Sequence, residues 1–420
     1  MKKMLIFGFL LLVIASCKKS SLDSFELEKS YPDADSALTG YADNLYGSAA
    51  GWEFQWEAAD ASRIYTGYLD FEKGAKTARF AAPITESAST VSDVPVLLRV
   101  IRANPTLSFV QGSIVSNFVE TTNNLDSVFT FKSAGTDTVT LVGDNYGSKL
   151  TLVRVDQSVA DIYGSGALLK VRKAMEAVKS WTRYFKRLTV GNKSYDIQIN
   201  SDRSLISLSY EDAGVIKTVS SNYTIYRSSL KFLEEMSLPG LSLTGLDNLQ
   251  YDESLNKISG DVNSAAMSIS NEIAPVKYDK TMASYFLSHL PQGTIAESYT
   301  GFTVDGVTDG YGVKSIPGFS SMVFIPKFSN ADYGAFRFWL GTGYGAYYPA
   351  ITPSVGANGN LLFEYIGFAG SPPASAISIL QNIIKTISQE EGFYVIKPDP
   401  DVNAYELVSV NGGNKWIRLE

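Results

Sequence analysis

The spacing of apolar residues changes character several times along this chain. It opens with a continuous run, Met4–Ser16, mostly Leu, Ile, Phe and Val, behind the positive pair Lys2-Lys3. At ~1.5 Å per helical residue the run spans ~20 Å, short of the ~30 Å membrane core. That length and those flanks predict an export signal rather than a membrane span. Lys18–Asp35 is polar and aperiodic and reads as a tether. Ala37, Tyr41, Leu45 and Ala49 then recur at four-residue steps, which predicts a short amphipathic helix with Asp33 or Asp35 at its start.

From Gly51 the rhythm shortens to alternation. "GWEFQWEAADASRIYTGYLDF" and the segments up to Val155 read as six to eight strands. Asp144–Gly147 between "TVTLV" and "KLTLVRV" marks a hairpin. An antiparallel barrel or sandwich of that size removes its own edges, and a lipocalin-like closed barrel is one such form. The period lengthens again over Asp161–Leu188, where Leu168, Val171, Met175, Val178, Trp181 (or Thr182) and Phe185 form a helical stripe. The bases Arg172, Lys173, Lys179, Arg183 and Lys186 lie largely elsewhere, as a solvated face or as a surface for an anion. Strands return from Ser194 to Gly260, and Asp261–Tyr278 reads as loop. The last third carries strands near Ser320–Ile325 and Gly334–Trp339, a helix at Ala376–Gln389 and a closing hairpin.

The expected class is therefore mainly β with a few helices, a β-rich α+β chain. The expected division is a signal over residues 1–17, a tether and helix over 18–50, and a first barrel or sandwich over 51–157. A helix with antiparallel strands follows over 158–280, then a C-terminal β-rich region over 281–420. "LVGDNYGSKLT" (Leu141–Thr151) and "LVSVNGGNKWI" (Leu407–Ile417) match at five of eleven positions. "FTFK" (Phe129–Lys132) resembles "YVIK" (Tyr394–Lys397) after a one-residue slip. Duplication and two generic hairpins both account for this.

The cysteine count adds an address. Cys17 is the only cysteine in 420 residues, and it directly follows Ile14-Ala15-Ser16. That ending resembles the bacterial lipoprotein box, which implies a lipid on the Cys17 thiol and cleavage just before it. Two or more acyl chains anchor a protein stably without spanning the bilayer. Cleavage removes Lys2 and Lys3 and takes the formal charge from −7 to −7 − 2 = −9. An acidic body without basic clusters argues against nucleic acid as a partner.

Candidate chemistry is sparse. His289, the only histidine, sits before Pro291 and next to Ser288, with no nucleophile elbow in the chain; a helix-end residue bonded to backbone is the plainer reading. The acid pairs Glu234-Glu235, Glu390-Glu391 and Glu211-Asp212 suit a glycosidase by composition alone. Asp399, Asp401 and Asn403 alternate as calcium ligands do, but Ala404 stands where the loop needs Gly. No cofactor and no other metal site is expected. The densest cluster is "FRFWLGTGYGAYYP" (Phe336–Pro349), where Phe336, Trp339, Tyr344, Tyr347 and Tyr348 are candidate ligand-stacking rings. Trp52, Trp56 and Tyr68 form a second candidate set; core filling is the competing reading for both.

The tether, "ALTGYADNLYGSAAGWEF", "YTGYLDF" with "ARF", and "LTLVRV" together resemble a family of Bacteroidota-type lipoproteins, domain-of-unknown-function family 4302. Gly51-Trp52, Gly67-Tyr68 and Phe80 carry the likeness. The resemblance implies an outer-membrane lipoprotein encoded beside nutrient-import complexes, and it transfers no catalytic residue. Lys18 and Lys19 stand where that family often has acids, which leaves surface and periplasmic faces both open, with the cell surface favoured. The expected function is a lipid-anchored, non-catalytic binder of glycan or peptide, accessory to an outer-membrane transporter. A carboxylate-dependent glycan hydrolase and a structural or adhesive envelope protein are the alternatives.

Overall fold

The computed structural model describes residues 33–122, 124–398 and 402–420. Cys17, Asp399 and Asp401 lie outside the described residues, and so does the tether up to residue 32. The described chain is mostly β, with 47% strand and 18% helix. Its strands form two closed antiparallel barrels and a third large sheet.

The first barrel runs from Trp52–Glu57 to Lys149–Arg154, eight strands in sequence order, with the last pairing back on the first. Alternation turns Trp52, Phe54 and Trp56 inward, where they meet Phe80, Phe109 and Phe129. Phe54 stacks on Phe80 at 5.6 Å, and Trp56 meets Phe129 edge-on at 5.9 Å. The barrel is closed, as a lipocalin-like form requires, and large aromatic side chains fill its interior. Helix α1 (Ala34–Tyr46) contributes the buried Leu45 to this core, stacks Tyr41 on Phe131, and its Leu45 carbonyl accepts the Trp52 indole N–H. Asp33 precedes the helix without a side-chain cap bond. Helix α2 (Ile114–Thr121) adds Val115 to the same core and sets Phe118 edge-on to Trp56.

The residues that carried the family likeness are explained by this packing. Gly51 has φ +79°, and a Cβ there would lie 2.7 Å from the Leu69 carbonyl. At Gly67 a Cβ would lie 2.2 Å from the Ala81 carbonyl and 2.5 Å from the Phe54 ring. Tyr68 points the other way, out of the barrel, donating its hydroxyl to Ala50 O and stacking on Tyr163.

The expected long helix over Asp161–Leu188 is two helices and a strand. Helix α3 (Gln157–Gly164) is capped by Asp156, and Gly166, in the left-handed region, separates it from α4 (Ala167–Ala177). Leu168, Val171 and Met175 are buried as the stripe predicts, but Phe185 opens a strand, Phe185–Val190. The basic face is partly tied down: Arg172 donates to Pro83 O, and Lys173 and Lys179 pair with Glu86 and Asp202. The middle region, expected only as helix plus strands, closes into a second eight-stranded barrel from Phe185–Val190 to Ala265–Glu272. The stretch expected as loop holds half of its last hairpin, Lys257–Val262 paired with Ala265–Glu272.

The third sheet begins after helix α5 (Met282–Ser288) and has ten strands. Its end strands, Ala296–Ser298 and Phe302–Val304, are two pieces of one broken run. Both lie beside the last strand, Lys415–Leu419: Phe302 pairs Ile417, while Glu297 and Glu420 exchange two 2.8 Å backbone bonds. Helix α6 (Ala374–Ile387) lays Ala376, Ile379, Leu380 and Ile383 into its core. The two hairpins with similar sequences occupy equivalent places, each last in its sheet, and "FTFK" and "YVIK" lie on the strands just before them.

One carboxylate ties the first barrel to the second. Glu53 accepts the hydroxyls of Tyr163 (2.5 Å) and Tyr226 (2.8 Å) and both arms of Arg227 (2.9 and 3.0 Å). Desolvation and then the Glu53 anion push the Tyr163 hydroxyl far above its usual range, and the same anion raises Arg227. Thr66 adds a bond to Ile225 O.

Candidate functional site

The strand Gly334–Leu340 reads GAFRFWL, and its alternation decides what faces solvent. Phe336 and Phe338 point into the core beside Phe324 and Phe363. Arg337 and Trp339 therefore take the outer face. A turn at Gly341 (φ +63°) folds Gly343–Tyr344 back along the strand, placing Tyr344 opposite Trp339. Tyr347 turns inward against Phe338, and Tyr348 opens the next strand facing out.

The result is a braced aromatic platform. The Arg337 guanidinium sits 4.5 Å from the Tyr344 ring centre and 4.9 Å from that of Tyr348. Trp339 meets Tyr344 edge-on at 4.8 Å, and Phe328 leans on Tyr348 at 5.8 Å. Each cation–π contact contributes ~0.5–1 kcal/mol at an exposed site, which biases the two rings toward these orientations. Arg337 also donates to Gly345 O at 2.8 Å, while its Nε is buried without a partner. On the strand Leu361–Ala369, paired with Tyr348–Val355, Tyr365, Ile366 and Phe368 are exposed as well. Rings with polar tips braced on a rigid wall can pack against sugar faces or an extended peptide.

The sequence candidates separate on this geometry. Trp339, Tyr344 and Tyr348 come together on the platform. Phe336 (1% exposed) and Tyr347 (7%) are core residues, as are Trp52, Trp56 and Tyr68 at 2% or less. These five leave the set of stacking candidates because alternation and barrel closure bury them. Asn403, the described member of the calcium triplet, donates its amide to Pro291 O. No group of three or more His, Cys, Asp or Glu able to hold a metal occurs among the described residues.

His289 ends α5, stacks on Tyr285 at 4.3 Å, and has Nδ1 2.9 Å from Ser288 Oγ. That hydroxyl also reaches the carbonyls of Ser284 and Tyr285, so its proton has backbone acceptors. Glu234, Glu235, Glu390 and Glu391 are exposed, Glu211 pairs with Lys277, and Asp212 pairs with Lys217. Arg337 was missed by sequence reading. Its place between two inward phenylalanines was the available signal.

Among curated proteins none matches this chain. A solved structure described as the octameric penicillin-binding protein homologue from Pyrococcus abyssi is similar over 34% of this chain, with 11% identity and a TM-score of 0.16. The matched part spans 33% of that protein's length. A family profile, Domain of unknown function (DUF4302), matches residues 34–251, just over half of the 420 residues. The matched segment takes in α1, the whole first barrel, α3, α4 and most of the second barrel. The platform on the third sheet lies beyond it. The chain belongs to the DUF4302 family.

Proposed function

We propose that this chain is a lipid-anchored, non-catalytic binding protein of the outer membrane that holds a glycan for an import complex. The observation that carries the reading is the platform of Trp339, Tyr344 and Tyr348, with Arg337 between the two tyrosine rings. A sugar ring presents a flat C–H face that such rings stack upon. Its hydroxyls remain free to bond the ring tips and the solvent. The address rests on Cys17 and the run before it. Among the described residues no helix is long and apolar enough to cross a membrane, and anchoring through acyl chains requires none.

The test is calorimetric titration of the purified mature chain with a panel of soluble polysaccharide fragments and, beside them, unstructured peptides. Trp339→Ala combined with Tyr344→Ala should weaken glycan binding at least ~10-fold, or ~1.4 kcal/mol, while leaving the melting temperature in place. Binding to peptides alone would replace the glycan with a peptide. New reducing ends in the same mixtures would move the reading to the hydrolase. No binding to either panel would end it. Separately, Cys17→Ser should release the protein from membrane fractions.

A further inference from the structure

We propose that the cleft between the second barrel and the third sheet is a binding site for a small carboxylate with an apolar body. It is independent of the aromatic platform and takes a different ligand.

The cleft has a volume of about 230 Å³. That is below the ~300–1,000 Å³ of drug-sized ligand sites, so the occupant is small. Its walls are mostly carbon, from Phe185, Ile216, Pro275, Tyr278, Met282 and Val395. A rigid aromatic frame backs them. Tyr184 lies edge-on to Phe185 at 5.1 Å and to Trp416 at 5.8 Å, and Tyr394 bridges Phe185 and Tyr278 at 5.5 and 4.8 Å.

The charged groups decide the sign of the ligand. Two acids line the cleft, and both are committed to their own backbone. Asp196 accepts Val276 N–H at 2.8 and 2.9 Å and Lys277 N–H at 3.4 Å. Asp279 Oδ1 accepts the N–H and hydroxyl of Thr281. Lys186 differs. It donates to Tyr184 O at 3.0 Å, which uses one of its three N–H groups. Behind it Glu406 takes the Tyr184 hydroxyl and lies 3.7 Å from Arg418, so the deeper acid has two other partners. Lys277 pairs with Glu211 at the rim, and Lys397 also lines the cleft.

Desolvation acts on this group as it must on a cation in a carbon-walled hollow. It pushes the Lys186 ammonium down to about 8 despite Glu406, and it raises Asp196 to about 6. At neutral pH Lys186 remains mostly charged, with hydrogen-bond donors to spare. A carboxylate entering the cleft supplies an acceptor for the spare Lys186 donors and a second negative charge beside that of Glu406, and its apolar body covers Tyr278 and Phe185. A second hollow of about 290 Å³ adjoins the first, sharing Asp196, Ser209, Ile216 and Lys277, and leaves room for a longer body.

N-acetylphenylalanine and its neutral amide are the probes, titrated calorimetrically into the full mature chain. The acid should bind and the amide should bind at least ~10-fold more weakly. Lys186→Met should bring the acid down to the level of the amide. The acid should also slow hydrogen exchange in residues 275–279. Equal binding of acid and amide, or no heat from the acid up to ~10 mM, overturns the proposal. The acid–amide comparison uses the unaltered protein and so stands even where Lys186→Met fails to fold. Trp339→Ala leaves this binding unchanged, which separates failure here from failure of the glycan reading.

Discussion

The two joints of this molecule solve the same packing problem in opposite ways. Between the first and second barrels, one carboxylate is surrounded by donors on every side: Glu53 meets Tyr163, Tyr226 and Arg227. Between the second barrel and the third sheet, the rings of Tyr184, Phe185, Trp416 and Tyr394 pack together, a few polar bonds such as Tyr184 N–H to Gly413 O add to them, and a cleft is left beside them. At the first joint the charged group has its partners: both Glu53 oxygens are met by donors. The second leaves Lys186 with unspent donors. A saturated polar joint is a strut, because any ligand would have to break good bonds to enter. An unsaturated one can accept an occupant at little cost.

The largest effect expected from this contrast is at Glu53. Glu53→Ala leaves Arg227 and two tyrosine hydroxyls without their acceptor inside the joint. This pair is half-buried, so the loss should fall between the ~1 kcal/mol of a surface pair and the ~3–5 kcal/mol of a fully buried one. Differential scanning calorimetry should show a lower melting temperature and, with the strut gone, separate unfolding of the first barrel. A loss below ~1 kcal/mol, the range of surface pairs, would make the two joints alike and remove the contrast. A smaller effect follows at Tyr163. Tyr163→Phe removes one of four bonds to Glu53 and should cost ~1–3 kcal/mol by chemical denaturation, since the hydroxyl is a donor to a charged acceptor. Its stacking on Tyr68 should survive.

What the sequence disclosed follows the range of the interactions. The hairpin at Asp144–Gly147 was readable because turn chemistry is local. Asp126, which holds that hairpin by accepting N–H groups from Asn145, Tyr146 and Ser148 and the Ser148 hydroxyl, was not. Only the folded register brings it there. The apolar stripe of α4 was legible through Met175, but the same spacing carried the reading on through Phe185, where the chain is already a strand. Helical and strand periods overlap over so few residues. For the aromatics, composition located the platform, and alternation then separated Trp339 from Phe336. Trp52 and Trp56 misled because a closed barrel has an inside, and a stretch of sequence does not state the closure. The cleft was illegible: Tyr184, Asp196, Tyr278 and Glu406 are far apart in the chain and meet only across a joint.

The smallest effect tests the second joint through pH. Lys186 titrates near 8 in the folded protein against an ordinary 10.5. Between those values the unfolded chain binds more protons than the folded one, so stability rises with pH. Below about 8 both states hold the proton and the slope vanishes. Tyr184 limits the window from above: burial and Glu406 raise its hydroxyl well beyond 10, so the folded state keeps a proton there that the unfolded state releases. Stability should therefore climb from pH 8 to about 10 and then level or fall. Lys186→Met should flatten the climb, read as melting temperature against pH. Glu53→Gln at the other joint should leave it intact, because no lysine lines that joint's carboxylate. Saturating N-acetylphenylalanine should push the climb to higher pH, since a bound carboxylate favours the ammonium. An unaltered profile in Lys186→Met would mean that the second joint is as fully matched as the first, with its cleft only a gap between packed rings.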